Sequence, residues 1–105
     1  MNLNVLPHAI NDVRSASRQL NGSGRNLGRA LKSEFGQALL AIAAMPRLYS
    51  PVEDGPANRE CREFYMERFK NRVIYLIQDD TIHVLAVFHA TRMPGAWRRR
   101  LDDAS

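Results

Sequence analysis

The sequence predicts an α+β fold of order β-α-α-β-β-β, in which a helical hairpin packs on a small, mainly antiparallel sheet. Three observations carry this reading. Leu27, Leu31, Phe35, Ala38, Ile42 and Met45 recur at steps of three and four residues, one continuous helical stripe. Residues 72–78 and 81–89 concentrate aliphatic and aromatic side chains in two short runs on either side of Asp79-Asp80. A stretch holding Pro46, Pro51, Gly55 and Pro56 separates the helical half from this strand-rich half. With 105 residues, 45% of them hydrophobic, the chain suffices for one domain with a single core and is too short for two.

Taken in order, Asn2–Leu6 alternates polar and apolar side chains and reads as a short strand. Pro7 suits the first turn of a helix, and Ala9, Ile10, Val13, Ala16 and Leu20 continue at helical spacing over 8–20. Asn21-Gly22-Ser23-Gly24 stops that helix. The second helix spans about 24–45 and ends before Pro46, because a residue preceding proline avoids the helical conformation. So short a link makes the two helices an antiparallel hairpin. Residues 46–58 form a long loop, a place where function concentrates. Glu60–Tyr65 is the most polar strand and reads as an edge. Thr81–His89 is the most continuously apolar, which implies burial on both faces and a central position. Ala96–Leu101 is expected to form a short helical turn.

Composition excludes several classes. A quarter of the residues are charged, unlike a disordered chain. The single cysteine, Cys61, rules out an internal disulfide and favours a reducing compartment. No apolar run approaches the roughly 20 residues of a membrane span, and the N-terminal residues lack the pattern of a secretory signal. The expectation is a cytoplasmic protein with no membrane partner. The net charge is +4, and thirteen of the fifteen cationic residues are arginines, whose planar fork suits phosphate or carboxylate. Residues 1–50 carry six basic and two acidic side chains, and residues 51–105 carry nine of each. An anionic partner, nucleic acid or an acidic protein segment, and a plainly solvated basic surface are both compatible with this balance.

Four stretches give the chain a resemblance to the RelE/ParE superfamily of toxins from type II toxin–antitoxin modules, the plasmid stabilisation proteins. Val5-Leu6-Pro7-His8-Ala9 with Asp12-Val13 is similar to the family's first strand and helix. Leu39-Leu40-Ala41-Ile42 with Met45-Pro46 is similar to the end of its second helix. Arg72-Val73-Ile74-Tyr75 resembles its most recognisable strand. Val84–His89 with Arg92, Pro94 and Trp97 resembles its last strand and tail. The set runs in order through essentially the whole chain, as one toxin domain over 1–105. Where family members often carry an aromatic pair late in the first helix, this chain has Ser15-Ala16-Ser17-Arg18.

The resemblance implies one of two activities. ParE-like members inhibit DNA gyrase and need no hydrolytic site. RelE-like members cut mRNA on the ribosome without a metal, which requires an acid, a base and cations for the phosphate. Arg72 and Arg92 match two arginines of the RelE-like enzymes, but Glu63 and Tyr65 stand near the positions of their paired lysines. A second nuclease pattern implies Glu53 and His89 as acid and base, histidine being the side-chain type suited to such work near neutral pH. The leading expectation is therefore a ParE-like inhibitor. The alternatives are a ribosome-dependent endoribonuclease using Arg72, His89, Arg92 and Glu53, or a non-toxic binding module.

Each candidate also has a purely structural reading. Arg72 can be a salt-bridged strand residue, and His89 a hydrogen-bonded strand end. Tyr75 reads as core with its hydroxyl satisfied at an edge, and Trp97 as an anchor for the tail. Arg98, Arg99 and Arg100 can be a solvated end or, with Arg92, an anion-binding set. His83 and His89 are expected on one strand face but about 20 Å apart, too far to share a metal. Gly22, Gly24 and Gly28 follow a helix rather than a strand, which removes the context of a phosphate loop. No cofactor or metal is implied. By resemblance the partners are a cognate antitoxin, drawn to an apolar groove between the hairpin and the sheet edge, and either gyrase or the ribosome with its mRNA.

Overall fold

A computed structural model describes residues 1–24 and 26–104. Four strands, β1 (Asn2–Val5), β2 (Glu60–Met66), β3 (Asn71–Gln78) and β4 (Thr81–His89), form one sheet of order β1-β4-β3-β2. β1 runs parallel to β4, and the other pairings are antiparallel. β4 is central and β2 is an edge, as their polarity predicts. Asp79 and Asp80 both take positive φ, +52° and +60°, the backbone that a two-residue hairpin matched to the strand twist demands.

The helices α1 (Pro7–Asn21) and α2 (Leu27–Ala44) cover one sheet face. Their stripes (Ala9 and Val13, then Leu31, Phe35, Ala38 and Ile42) meet Val73, Tyr75, Ile82, Val84 and Val87 in the first core. The small residues at 15–17 have a structural consequence. Ser17 is buried and its hydroxyl donates to the Gly28 carbonyl, while the Gly28 amide donates to Asn21 Oδ1. A Cβ on Gly28 would lie 2.5 Å from the Ser17 carbonyl oxygen, so the helices approach here more closely than any larger pair would permit.

Where the sequence predicts a single core, the opposite sheet face builds a second one from Leu6, Cys61, Ile74, Leu76, Leu85, Ala86 and Phe88, covered by Trp97, Leu101 and Ala104, because the tail folds back over that face. The last two belong to a 3-10 helix over Arg98–Ala104. Trp97 is fully buried, the tail anchor that the sequence suggests.

One expectation is corrected. The pairing of β3 with β4 shifts register between Ile74 and Tyr75. Leu85 and Ala86 consequently both face the second core, while Val84 and Val87 face the first. This β-bulge reverses the alternation, so His83 and His89 stand on opposite faces.

Candidate functional site

β1 pairs with β4 only as far as Val84, which leaves the following edge of β4 without a strand partner. Side chains complete it. The Val87 amide donates to Asp12 Oδ2 at 2.9 Å, and Arg100 Nη1 donates to the Leu85 carbonyl at 3.0 Å. Arg100 also clasps Asp12 through two bonds of 2.6 and 3.1 Å. One ion pair thus ties α1, the bulged strand and the 3-10 helix together. Arg100 and Arg92 flank the Phe88 ring, their guanidinium carbons 4.8 and 4.1 Å from its centroid.

A cleft of about 870 Å³ opens at the end of the second sheet face. Glu53, Asp54, Glu63, Arg72, Arg92 and Arg98 line it. At its floor Arg72 is fully engaged. Its Nη atoms donate to both oxygens of Asp54 at 2.7 and 3.0 Å, and Nε and Nη2 donate to Glu63 at 3.2 and 3.0 Å. Asp54 Oδ2 also accepts from the Gly95 amide and from Trp97 Nε1, while its carbonyl accepts from Arg98 Nε. Arg72 above all, with the Gly95 and Trp97 donors, holds the Asp54 carboxyl far below the usual carboxylate range despite partial burial. The two carboxylates push the Arg72 guanidinium up. A positive-φ turn at Gly95, +79°, brings the tail back over this carboxylate.

Glu53 is exposed on the cleft rim. His89 lies elsewhere. It is exposed, its Nδ1 is 2.8 Å from Thr91 Oγ1, and it lines a separate cleft of about 490 Å³ beside α1, with Ser15, Gln19, Asn71 and Arg92. The sheet therefore parts the expected catalytic set: Glu53 and Arg72 on one side, His89 on the other, and Arg92 on the rim of both clefts. Arg98, Arg99 and Arg100 are placed differently: Arg100 is paired with Asp12, Arg98 donates to the Asp54 carbonyl, and Arg99 is exposed.

Sequence reasoning singled out Glu53 and missed its neighbour Asp54, which organises the whole corner. The available signal was Asp54-Gly55-Pro56, a turn-forming acid in a loop that must pass the arginine-bearing strand. Tyr75 behaves as expected: it is buried, its hydroxyl donates to the Pro46 carbonyl at 2.6 Å, and burial pushes its pKa up to about 12.

Along the other edge, a groove between α2 and β2 is lined by Gln37, Ala38, Ala41, Phe64, Tyr65 and Met66. Ser50 and Val52 bond to Glu63 and Cys61 and cover only the first half of the β2 edge. Leu40 (74% exposed), Met45 and Leu48 stand open on the α2 side. Among the described residues no cluster of histidine, cysteine or carboxylate side chains could hold a metal ion, and no helix is long and apolar enough to cross a membrane.

In comparisons with known proteins, the family described as ParE toxin of the type II toxin–antitoxin system parDE matches residues 4–94. A solved structure of the chromosomal ParDE system from P. aeruginosa superposes with a TM-score of 0.66 at 13% identity, over 85% of this chain and 95% of that one. At that identity the likeness concerns the fold. No curated protein matches the sequence.

Proposed function

Because the chain belongs to the ParE toxin family and is a type II toxin component, we propose that it arrests growth by binding a target such as DNA gyrase, without cutting RNA, and that a cognate antitoxin neutralises it. The observation that carries the first part is the state of Arg72. An arginine that clamps a scissile phosphate must have its fork free, and here Asp54 and Glu63 occupy it from both sides. The separation of His89 from Arg72 and Glu53 by the sheet supports the same reading, since general acid–base catalysis needs its groups within hydrogen-bond reach of one substrate.

Induction in bacteria tests it. Wild-type protein is expected to trigger DNA-damage signalling, and the purified protein to inhibit supercoiling by gyrase. His89→Ala and Glu53→Gln, both exposed and without an ion pair among the described residues, should arrest growth as strongly as wild type. Cuts in mRNA at codon boundaries, lost in either variant, would sink the proposal in favour of the nuclease.

For the antitoxin, the α2–β2 groove offers both requirements of segment recognition: a strand edge left open beyond Glu63, and apolar side chains beside it. Leu40→Asp combined with Tyr65→Asp is expected to weaken antitoxin binding at least tenfold while the toxin still arrests growth. Co-expression with the adjacent antitoxin gene gives the readout, and full rescue of the double variant would exclude this groove.

A further inference from the structure

The arginines of this protein fall into two populations. Those of the strand-rich half are largely spent on the fold: Arg47, Arg62, Arg68, Arg72 and Arg100 each reach a carboxylate. The helical hairpin differs. Arg14 and Arg18 on α1, and Arg29 and Lys32 on α2, are exposed and form no salt bridge among the described residues. The hairpin supplies no acid to them, since Asp12, the acid of α1, is committed to Arg100, and Glu34, the acid of α2, faces Arg68.

These four cations are also gathered. The Ser17–Gly28 contact fixes the level at which the helices touch. Arg14 and Arg18 lie three residues before and one after Ser17, and Arg29 and Lys32 one and four after Gly28. Helical periodicity turns all four to the outward side of that contact, within about one turn of it. The close approach of the helices therefore brings like charges to one side of the hairpin, at a cost that no carboxylate among the described residues offsets. An anion from outside would offset it.

We infer that this outward face of the hairpin binds the phosphate backbone of a nucleic acid. The side chains beside the cations decide against an acidic peptide. They are Asn11, Ser15, Gln19 and Ser33, small or polar groups of the kind that donate to phosphate oxygens. A peptide needs apolar anchors, and the exposed apolar residues of the hairpin, Ile10 and Leu40, sit toward its other end. The inference is independent of the growth-arrest reading, because it is read by direct binding to nucleic acid.

Fluorescence anisotropy of the full chain with a labelled 20-base-pair duplex of arbitrary sequence, and with a single-stranded RNA of equal length, is the test. Four phosphate contacts give a slope of log affinity against log salt of about −3 to −4 on duplex and somewhat less on single strands, roughly a hundredfold loss between 50 and 200 mM salt. Arg14→Gln with Arg18→Gln, and separately Arg29→Gln with Lys32→Gln, should each reduce the slope by about 2, whereas Arg99→Gln on the tail should leave it unchanged. Preference for the duplex identifies DNA and preference for the single strand identifies RNA. Absence of binding at 50 mM salt, a slope unaffected by the hairpin variants but reduced by Arg99→Gln, or tighter binding to polyglutamate than to either nucleic acid would overturn the inference.

Discussion

Asp54→Ala is expected to lower the unfolding free energy by about 3 kcal/mol, the low end of what breaking a buried ion pair costs, because Glu63 remains to hold part of the Arg72 charge. The loss has several components. Both side chains of the pair are largely buried, with relative exposures of 13% for Asp54 and 15% for Arg72. The variant leaves the Trp97 indole N–H and the Gly95 amide without their acceptor, and each unpaired buried donor carries its own penalty. Denaturant unfolding with an unchanged m-value measures the effect. Its pH dependence follows from the depressed carboxyl of Asp54. The unfolded chain binds a proton there near pH 4, whereas the native chain resists until much lower. The stabilisation is therefore complete above about pH 4 and drains away as the pH falls below it. Asp54→Asn removes that proton linkage, so its stability should decline less steeply than that of the wild type between pH 4 and pH 2. Parallel curves would mean that Asp54 does not carry the clasp.

The contrast between Asp54 and Glu53 shows where the sequence is legible and where it stops. Periodicity located both helices and all four strands, since each stripe or alternation is written in neighbouring residues. It located the second core less well, because Trp97, Leu101 and Leu6 meet only after the tail has folded back. The contacts that define the site are longer in range still: Arg72 finds Asp54 eighteen positions upstream, and Asp12 finds Arg100 eighty-eight positions downstream. No local pattern announces either pair. The misplacement of His89 has a different origin. Counting by twos along β4 is sound until the extra residue at Leu85–Ala86, and a bulge is invisible to a period. Charge was legible as an excess in residues 1–50, but that Arg14, Arg18, Arg29 and Lys32 lie on one side of the hairpin depends on the Ser17–Gly28 contact, which sequence alone does not register.

Trp97→Ala should be the most damaging single substitution, costing about 3–5 kcal/mol, the range for truncating a buried aromatic. The ring is fully buried in the second core, and its indole N–H is one of the donors that fix Asp54, so packing and ion-pair geometry fail together. Gly55 is shaped to the same ring: a Cβ there would lie 3.1 Å from it, which shows how closely the loop is seated. Without this anchor the apolar cover of the tail is reduced to Leu101 and Ala104, with Arg100 still tied to Asp12 and the Leu85 carbonyl, and Ile74, Leu76, Leu85 and Phe88 lose most of their cover. The variant is expected to bind an apolar dye in the native state and to aggregate on warming, as proteins with a large exposed apolar patch do. Trp97→Phe separates the two roles. It keeps most of the buried ring and removes the hydrogen bond, so its cost should fall to about 1–2 kcal/mol, near that of one unpaired buried acceptor–donor pair. Thermal unfolding followed by circular dichroism compares the three proteins, because Trp97 is the single tryptophan and its fluorescence is lost in both variants. Equal destabilisation by Ala and Phe would place the whole effect in the bond to Asp54 and none in the packing of the tail.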